Sequence, residues 1–175
     1  MKASLRKELK LKRAHIPSER KQLAAARCIG KLLSLTQEKL VLSFAPFKDE
    51  VNLWPLNEKL AKSKRLVLPV TKHCSLRLYQ VTAPSKELVE SSLGILEPNP
   101  SLCMEISPDK IEIAIIPGLG FDKEGHRIGY GKGCYDRLIP KLTDATKIGV
   151  GYKEQLIEKL PTDEHDQKLD HVLLY

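Results

Sequence analysis

Residues 111–136 read IEIAIIPGLGFDKEGHRIGYGKGCYD, and the two halves of this stretch make different demands on the backbone. The first, Ile111 to Pro117, is apolar on both faces, as in a parallel sheet covered by helices. The second, Pro117 to Asp136, holds six of the chain's ten glycines, with Lys123, Arg127, Lys132 and Asp136 interleaved. Glycine gives up more backbone freedom on folding than any other residue, so such density implies turns or close approach of backbone N–H groups to a ligand. The cations and the trailing carboxylate suggest a polyphosphate with its metal ion.

Outward from this stretch, short apolar runs alternate with helical periodicity. KLVLSFA (39–45), RLVLPV (65–70), SLRLYQV (75–81), TKIGVGY (146–152) and the closing HVLLY are expected as strands. Two helices are expected before residue 36, the second presenting Leu23, Ala26, Ile29, Leu32 and Leu33. Others are expected after Trp54-Pro55, over CYDRLIPKL and over KEQLIEKL. This alternation predicts an open, mostly parallel α/β sheet, in which ligands gather at the carboxyl ends of strands. The glycine segment leaves the most buried strand and enters a helix, where free N–H groups and the helix dipole favour an anion.

With 175 residues, 42% of them hydrophobic, the chain suits one domain with its own core. Its net charge of +7 is uneven: residues 1–31 carry ten Lys or Arg against two Glu, and the rest is near balance. That weakens a nucleic-acid-binding reading, as does an aromatic content of 5%. No apolar run is long enough to span a membrane, and the charged N-terminus does not read as a secretory signal. Cys28, Cys74, Cys103 and Cys134 form no CxxC pair and are expected as reduced thiols of a cytoplasmic protein. The five histidines are scattered, which disfavours zinc. Two standard phosphate motifs fail. His126 stands where GxxxxGK[ST] needs its first glycine, and Gly133 replaces the metal-binding hydroxyl. GxGxxG fails as well.

PGLGFDKEGHRIGYGKGCYDR (117–137) resembles the signature of the 5-formyltetrahydrofolate cyclo-ligase family, also called 5,10-methenyltetrahydrofolate synthetases. Lys2 and Arg6 in KxxxR spacing, Asp49-Glu50-Val51, KRLVLPV, GILEP (94–98) and PTDEHDQKLDHVL (161–173) follow in the family's order, so the resemblance spans residues 1–175 as a single domain. It implies a three-layer, Rossmann-like sheet with helices on both faces. It also implies conversion of 5-formyltetrahydrofolate and ATP, with Mg²⁺, to 5,10-methenyltetrahydrofolate, ADP and phosphate. The formyl oxygen would be phosphorylated and N10 would then close the ring.

By the same resemblance, Arg127 and Lys132 hold ATP phosphates and carry catalysis, with Lys2, Arg6, Gly129, Gly131, Gly133 and Tyr135 also at the nucleotide. Glu50, Tyr130 and Cys134 fall on the folate side, and Asp136 and Asp166 on the metal. Cys134 departs from the family pattern by replacing the first tyrosine of Tyr-Tyr-Asp. The mechanism has no use for a catalytic thiol there. A monomer is the expected state, with a homodimer as the alternative. Rival readings are a basic nucleic-acid-binding module and an ATP-dependent kinase or transferase with a non-folate acceptor.

Overall fold

A computed structural model describes residues 2–175. Its centre is a seven-stranded sheet in the order β11-β10-β7-β1-β2-β3-β6. The strands are β1 (Val41–Leu42), β2 (Leu66–Lys72), β3 (Ser75–Val81), β6 (Met104–Ile106), β7 (Ile113–Pro117), β10 (Thr146–Gly151) and β11 (His171–Leu174). From β11 across to β2 every pairing is parallel, while β3 pairs antiparallel with both β2 and β6. Two small hairpins stand apart: β4 (Leu88–Glu90) with β5 (Leu96–Pro98), and β8 (Gly120–Phe121) with β9 (Arg127–Ile128).

Alternate side chains of the central strands enter different cores. Val41, Leu66, Leu68, Ile113 and Ile115 pack on one face beneath α2 (Ser18–Leu35) and α3 (Trp54–Lys62). Leu42, Val67, Ala114 and Ile116 pack on the other, beneath α5 (Cys134–Leu138) and the 3₁₀ turn Ile139–Lys141. Helical cover on both faces of a mostly parallel sheet is the expected three-layer architecture. Each fully buried Ile of β7 contributes about 1.5–3 kcal/mol. The helix α1 (Lys2–Ala14) covers neither face: its Leu5 and Leu9 pack with Leu119, Ile128 and Leu160 over the carboxyl ends of the strands. A short α4 (Pro84–Glu87) leads into β4.

Several local expectations are corrected. KEQLIEKL forms only a 3₁₀ turn, Lys153–Gln155, rather than a short helix. The Ile157 N–H donates to the Phe121 carbonyl and Leu156 bridges Phe121, which draws the chain straight. Beyond Leu138 the CYDRLIPKL helix tightens into 3₁₀ at Pro140, which has no N–H to give. In α2 the buried stripe is Ala24, Ala25, Cys28 and Leu32, while Leu23 is half exposed. Phe121 packs closely on β10: a Cβ on Gly149 would lie 2.7 Å from its ring.

The β8–β9 hairpin is pinned by Asp122, which is 1% exposed. Its carboxylate accepts N–H bonds from Glu124, His126 and Leu160 and meets His126 Nδ1 at 3.0 Å. Burial alone would raise its pKa, but these N–H groups and the His126 ring outweigh burial and hold it below the usual aspartate range. A depressed carboxylate adds stability that is present above its unfolded pKa and lost as pH falls through the folded value. Asp122→Ala should cost at least about 2 kcal/mol in urea unfolding at neutral pH. The gap to the parent chain should narrow below about pH 4; an equal gap at all pH values would remove the carboxylate charge from the account.

Candidate active site

The strand order reverses between β1 and β7: β2, β3 and β6 build outward on one side, β10 and β11 on the other. Loops leaving the carboxyl ends of two such neighbours diverge and leave a crevice. A cleft of about 780 Å³ lies there. Residues 44–50 reach it from β1, and residues 117 and 127–137 from β7 through the glycine segment. Phe44, Phe47, Leu76, Leu93, Ile95 and Leu96 give it an apolar wall, while Lys2, Arg6 and Asp166 arrive from α1 and the C-terminal segment.

One end is built around Arg127, whose side chain is 4% exposed. Its Nη2 donates to Asp136 Oδ1 at 2.9 Å, and its guanidinium lies 5.4 Å from the Tyr135 ring centre. Burial works against the arginine's charge, and Asp136 is the strongest influence opposing it. The buried Nε has no hydrogen-bond partner. Nearby, Lys2 Nζ donates to Asp166 at 2.5 Å and Asp163 at 2.7 Å. Burial disfavours the Lys2 ammonium, but the two aspartates outweigh it and raise its pKa. Burial likewise opposes the Asp166 anion, and Lys2 with the Asp163 N–H outweighs it, lowering that pKa. Arg6 Nε donates to the Gly129 carbonyl at 2.9 Å. Lys132 is exposed and makes no ion pair among the described residues.

The other end holds Glu50, partly buried. Its Oε1 accepts from the Tyr130 hydroxyl at 2.8 Å and its Oε2 from the Phe47 N–H at 3.0 Å. Burial raises its pKa, with the Phe47 N–H, Tyr130 and Arg13 acting against that rise. Burial also pushes the Tyr130 phenol up to about 12, so it is a neutral donor at ordinary pH. Cys134 is half buried, and burial followed by neighbouring Cys74 raises its pKa, leaving a neutral thiol rather than a nucleophilic thiolate.

All of the expected site residues therefore line one cleft. Three others were not among the expected site residues, although Arg137 closes the glycine-rich signature. Arg13 is buried behind Tyr130, Tyr152 donates to the Glu50 carbonyl at 3.2 Å, and Arg137 ties the glycine segment to the Cys74 carbonyl at 2.8 Å. Trp54 opens α3 and does not line the cleft. Because α5 is five residues long, attraction for an anion falls to the cations more than to a helix dipole.

Among the described residues no three His, Cys, Asp or Glu cluster as a metal cage. Asp136 and Asp166 nevertheless line the same cleft, and both act on Arg127, one by contact and one through space. Two carboxylates suit a magnesium ion, which leaves its other positions to water and phosphate oxygens.

The model of the 5-formyltetrahydrofolate cyclo-ligase family matches residues 1–175. The chain belongs to that family. The mouse 5-formyltetrahydrofolate cyclo-ligase is 28% identical over 98% of this chain and 92% of its own length. The Escherichia coli K12 cyclo-ligase is 35% identical over 76% of each. Among solved structures, the NMR structure of Aquifex aeolicus 5,10-methenyltetrahydrofolate synthetase has a TM-score of 0.86 at 35% identity, covering 98% of this chain and 88% of that one. The Mycoplasma pneumoniae synthetase has a TM-score of 0.76 at 26% identity, covering 98% of this chain and 96% of that one.

Within the cyclo-ligase signature, Gly131 has φ +98° and a Cβ there would meet Arg6 Cζ at 3.3 Å. Gly131→Ala should therefore cost about 1–3 kcal/mol in backbone strain. Combining it with Arg6→Ala should relieve the steric part only, so the pair should be less than additive in urea unfolding. Full additivity would mean that the two residues do not touch.

Proposed function

We propose that this protein converts 5-formyltetrahydrofolate to 5,10-methenyltetrahydrofolate at the expense of ATP. The observation that carries the proposal is one cleft whose lining combines a buried arginine on Asp136, a carboxylate at Glu50 and an apolar wall. A formamide oxygen is a poor leaving group, so ring closure needs it activated. The formyl oxygen attacks the γ-phosphorus of ATP and ADP departs. N10 then attacks the formyl carbon and loses its proton, and the oxygen leaves with phosphate. Positioning and charge neutralisation supply most of the catalysis in such a transfer.

Arg127 and Lys132 act on the phosphates, and the unpartnered Nε of Arg127 is a donor that a phosphate oxygen would satisfy. Lys2 and Arg6 extend the cationic rim, while Gly129, Gly131 and Gly133 let the backbone approach and Tyr135 backs the arginine. Asp136 and Asp166 would hold a magnesium ion, which neutralises phosphate charge when bound. The same aspartates pair with Arg127 and Lys2, so the cations and carboxylates of this region already offset one another. Glu50 accepts N–H bonds from the pterin edge, with Tyr130 and Cys134 beside it. Lys2, Arg6 and Arg13 of the basic N-terminal segment are engaged within the chain, which favours a small anionic ligand over nucleic acid.

With ATP, Mg²⁺ and 5-formyltetrahydrofolate supplied together, absorbance of the methenyl product should grow in proportion to ADP. ADP without the chromophore would point to another acceptor, and neither product would end the proposal. Arg127→Ala should lower kcat/KM for ATP about a hundredfold. Asp136→Ala should raise the Mg²⁺ concentration for half-maximal rate at least about tenfold; an unchanged magnesium curve would take Asp136 out of the metal site.

A further inference from the structure

An arginine sealed from solvent is rare unless something holds its charge. Arg13, in the last turn of α1, is 5% exposed and makes no ion pair with a carboxylate among the described residues. Its Nη2 donates to the Tyr130 hydroxyl oxygen at 2.7 Å and its Nη1 to the Gly118 carbonyl at 3.4 Å, while its Nε is unpartnered. Tyr130 in turn donates to Glu50 Oε1 at 2.8 Å. Arginine has no acceptor, so the phenol oxygen must receive from it, and the single phenol proton is left to point at Glu50. The direction of the chain Arg13 to Tyr130 to Glu50 is thus fixed.

We propose that Arg13 is a positioning residue for the folate end of the cleft, acting through the Tyr130 hydroxyl to orient Glu50 and hold its negative charge for the N–H edge of the pterin. The proposal rests on Glu50 being the folate carboxylate. The arrangement leaves Glu50 able to accept from a ligand, because each oxygen uses one of its acceptor positions within the protein and keeps the other. A cation placed one hydroxyl away strengthens the anion without covering it, whereas a direct ion pair would occupy the face the pterin needs.

The groups around Glu50 leave this task to few candidates. From α1 come Arg13 and Lys10, the latter 5.4 Å from the Tyr130 ring centre. On its own loop, Asp49 is held by Lys21 of α2 at 2.8 Å, and Lys48 lies over the Phe47 ring at 5.0 Å. Tyr135 of α5 and Tyr152 beyond β10 face it as neutral phenols. Burial pushes Glu50 towards its neutral form, and Arg13 is the one cation that acts against this. Removing it lets the proton return at higher pH, and a protonated Glu50 cannot accept two N–H bonds as a carboxylate does.

The test is the pH profile of kcat/KM for 5-formyltetrahydrofolate at saturating ATP and Mg²⁺, in Arg13→Met, Arg13→Lys, Tyr130→Phe, Arg13→Met with Tyr130→Phe, and Glu50→Gln. Arg13→Met and Tyr130→Phe should each raise KM for the folate about tenfold and move the acid limb to higher pH, with KM for ATP within about twofold of the parent. The double variant should be little worse than either single one, since both cut the same chain. Arg13→Lys should restore most of the acid limb, which a merely space-filling role would not require. An unmoved acid limb, or equal losses for ATP and folate, overturns the proposal. If Arg13→Met does not fold, Tyr130→Phe alone decides, because it removes the relay's hydroxyl while keeping the arginine in α1. Glu50→Gln separates the two levels. If it leaves folate KM unchanged, the assignment of Glu50 falls and the relay falls with it. If it destroys folate binding while Arg13→Met and Tyr130→Phe do nothing, only the relay falls.

Discussion

A strand that is apolar on both faces has one place to go, the interior of a sheet covered on both sides. In β7, Ile113 and Ile115 enter the core beneath α2 and α3, and Ala114 and Ile116 enter the core beneath α5. Placing β7 next to β1 makes the sheet grow in both directions from that pair, so the loops beyond Leu42 and Pro117 part company. The cleft is the space they leave. Arg127, Lys132 and Asp136 of the glycine segment line this opening.

Charge is arranged in the cleft by local pairing. Arg127 rests on Asp136, and Lys2 on Asp166 and Asp163. Buried and partly buried charges are costly alone and tolerable in pairs. Glu50 follows a different rule. There the carboxylate is held by neutral or indirect donors, a backbone N–H and a phenol, which keep part of its acceptor surface available.

Much of this was legible in the sequence for identifiable reasons. The doubly apolar run at 111–117 and the density of glycine beyond it report backbone requirements, which are local and therefore readable. The expected site residues meet in one cleft because the signature itself is contiguous and its outlying members, Glu50 and Asp166, belong to recognisable segments. Arg13 was not legible. Its burial appears only when Tyr130, 117 residues away, is brought against it. KEQLIEKL misled for a similar reason: its helical periodicity is real, but a hydrogen bond to Phe121 from a distant hairpin decides its shape. The short strands β4, β5, β8 and β9 have too few residues for alternation to register.

The position of α1 has a thermodynamic side. This helix buries only Leu9 and Arg13 fully, packs on a small satellite core, and carries Lys2 and Arg6 to the rim of the cleft. Any anion that engaged those cations would be thermodynamically linked to the packing of α1: it would stabilise the packed helix, and the packed helix would raise its affinity by the same factor. The first helix is less a pillar of the fold than a wall of its cleft.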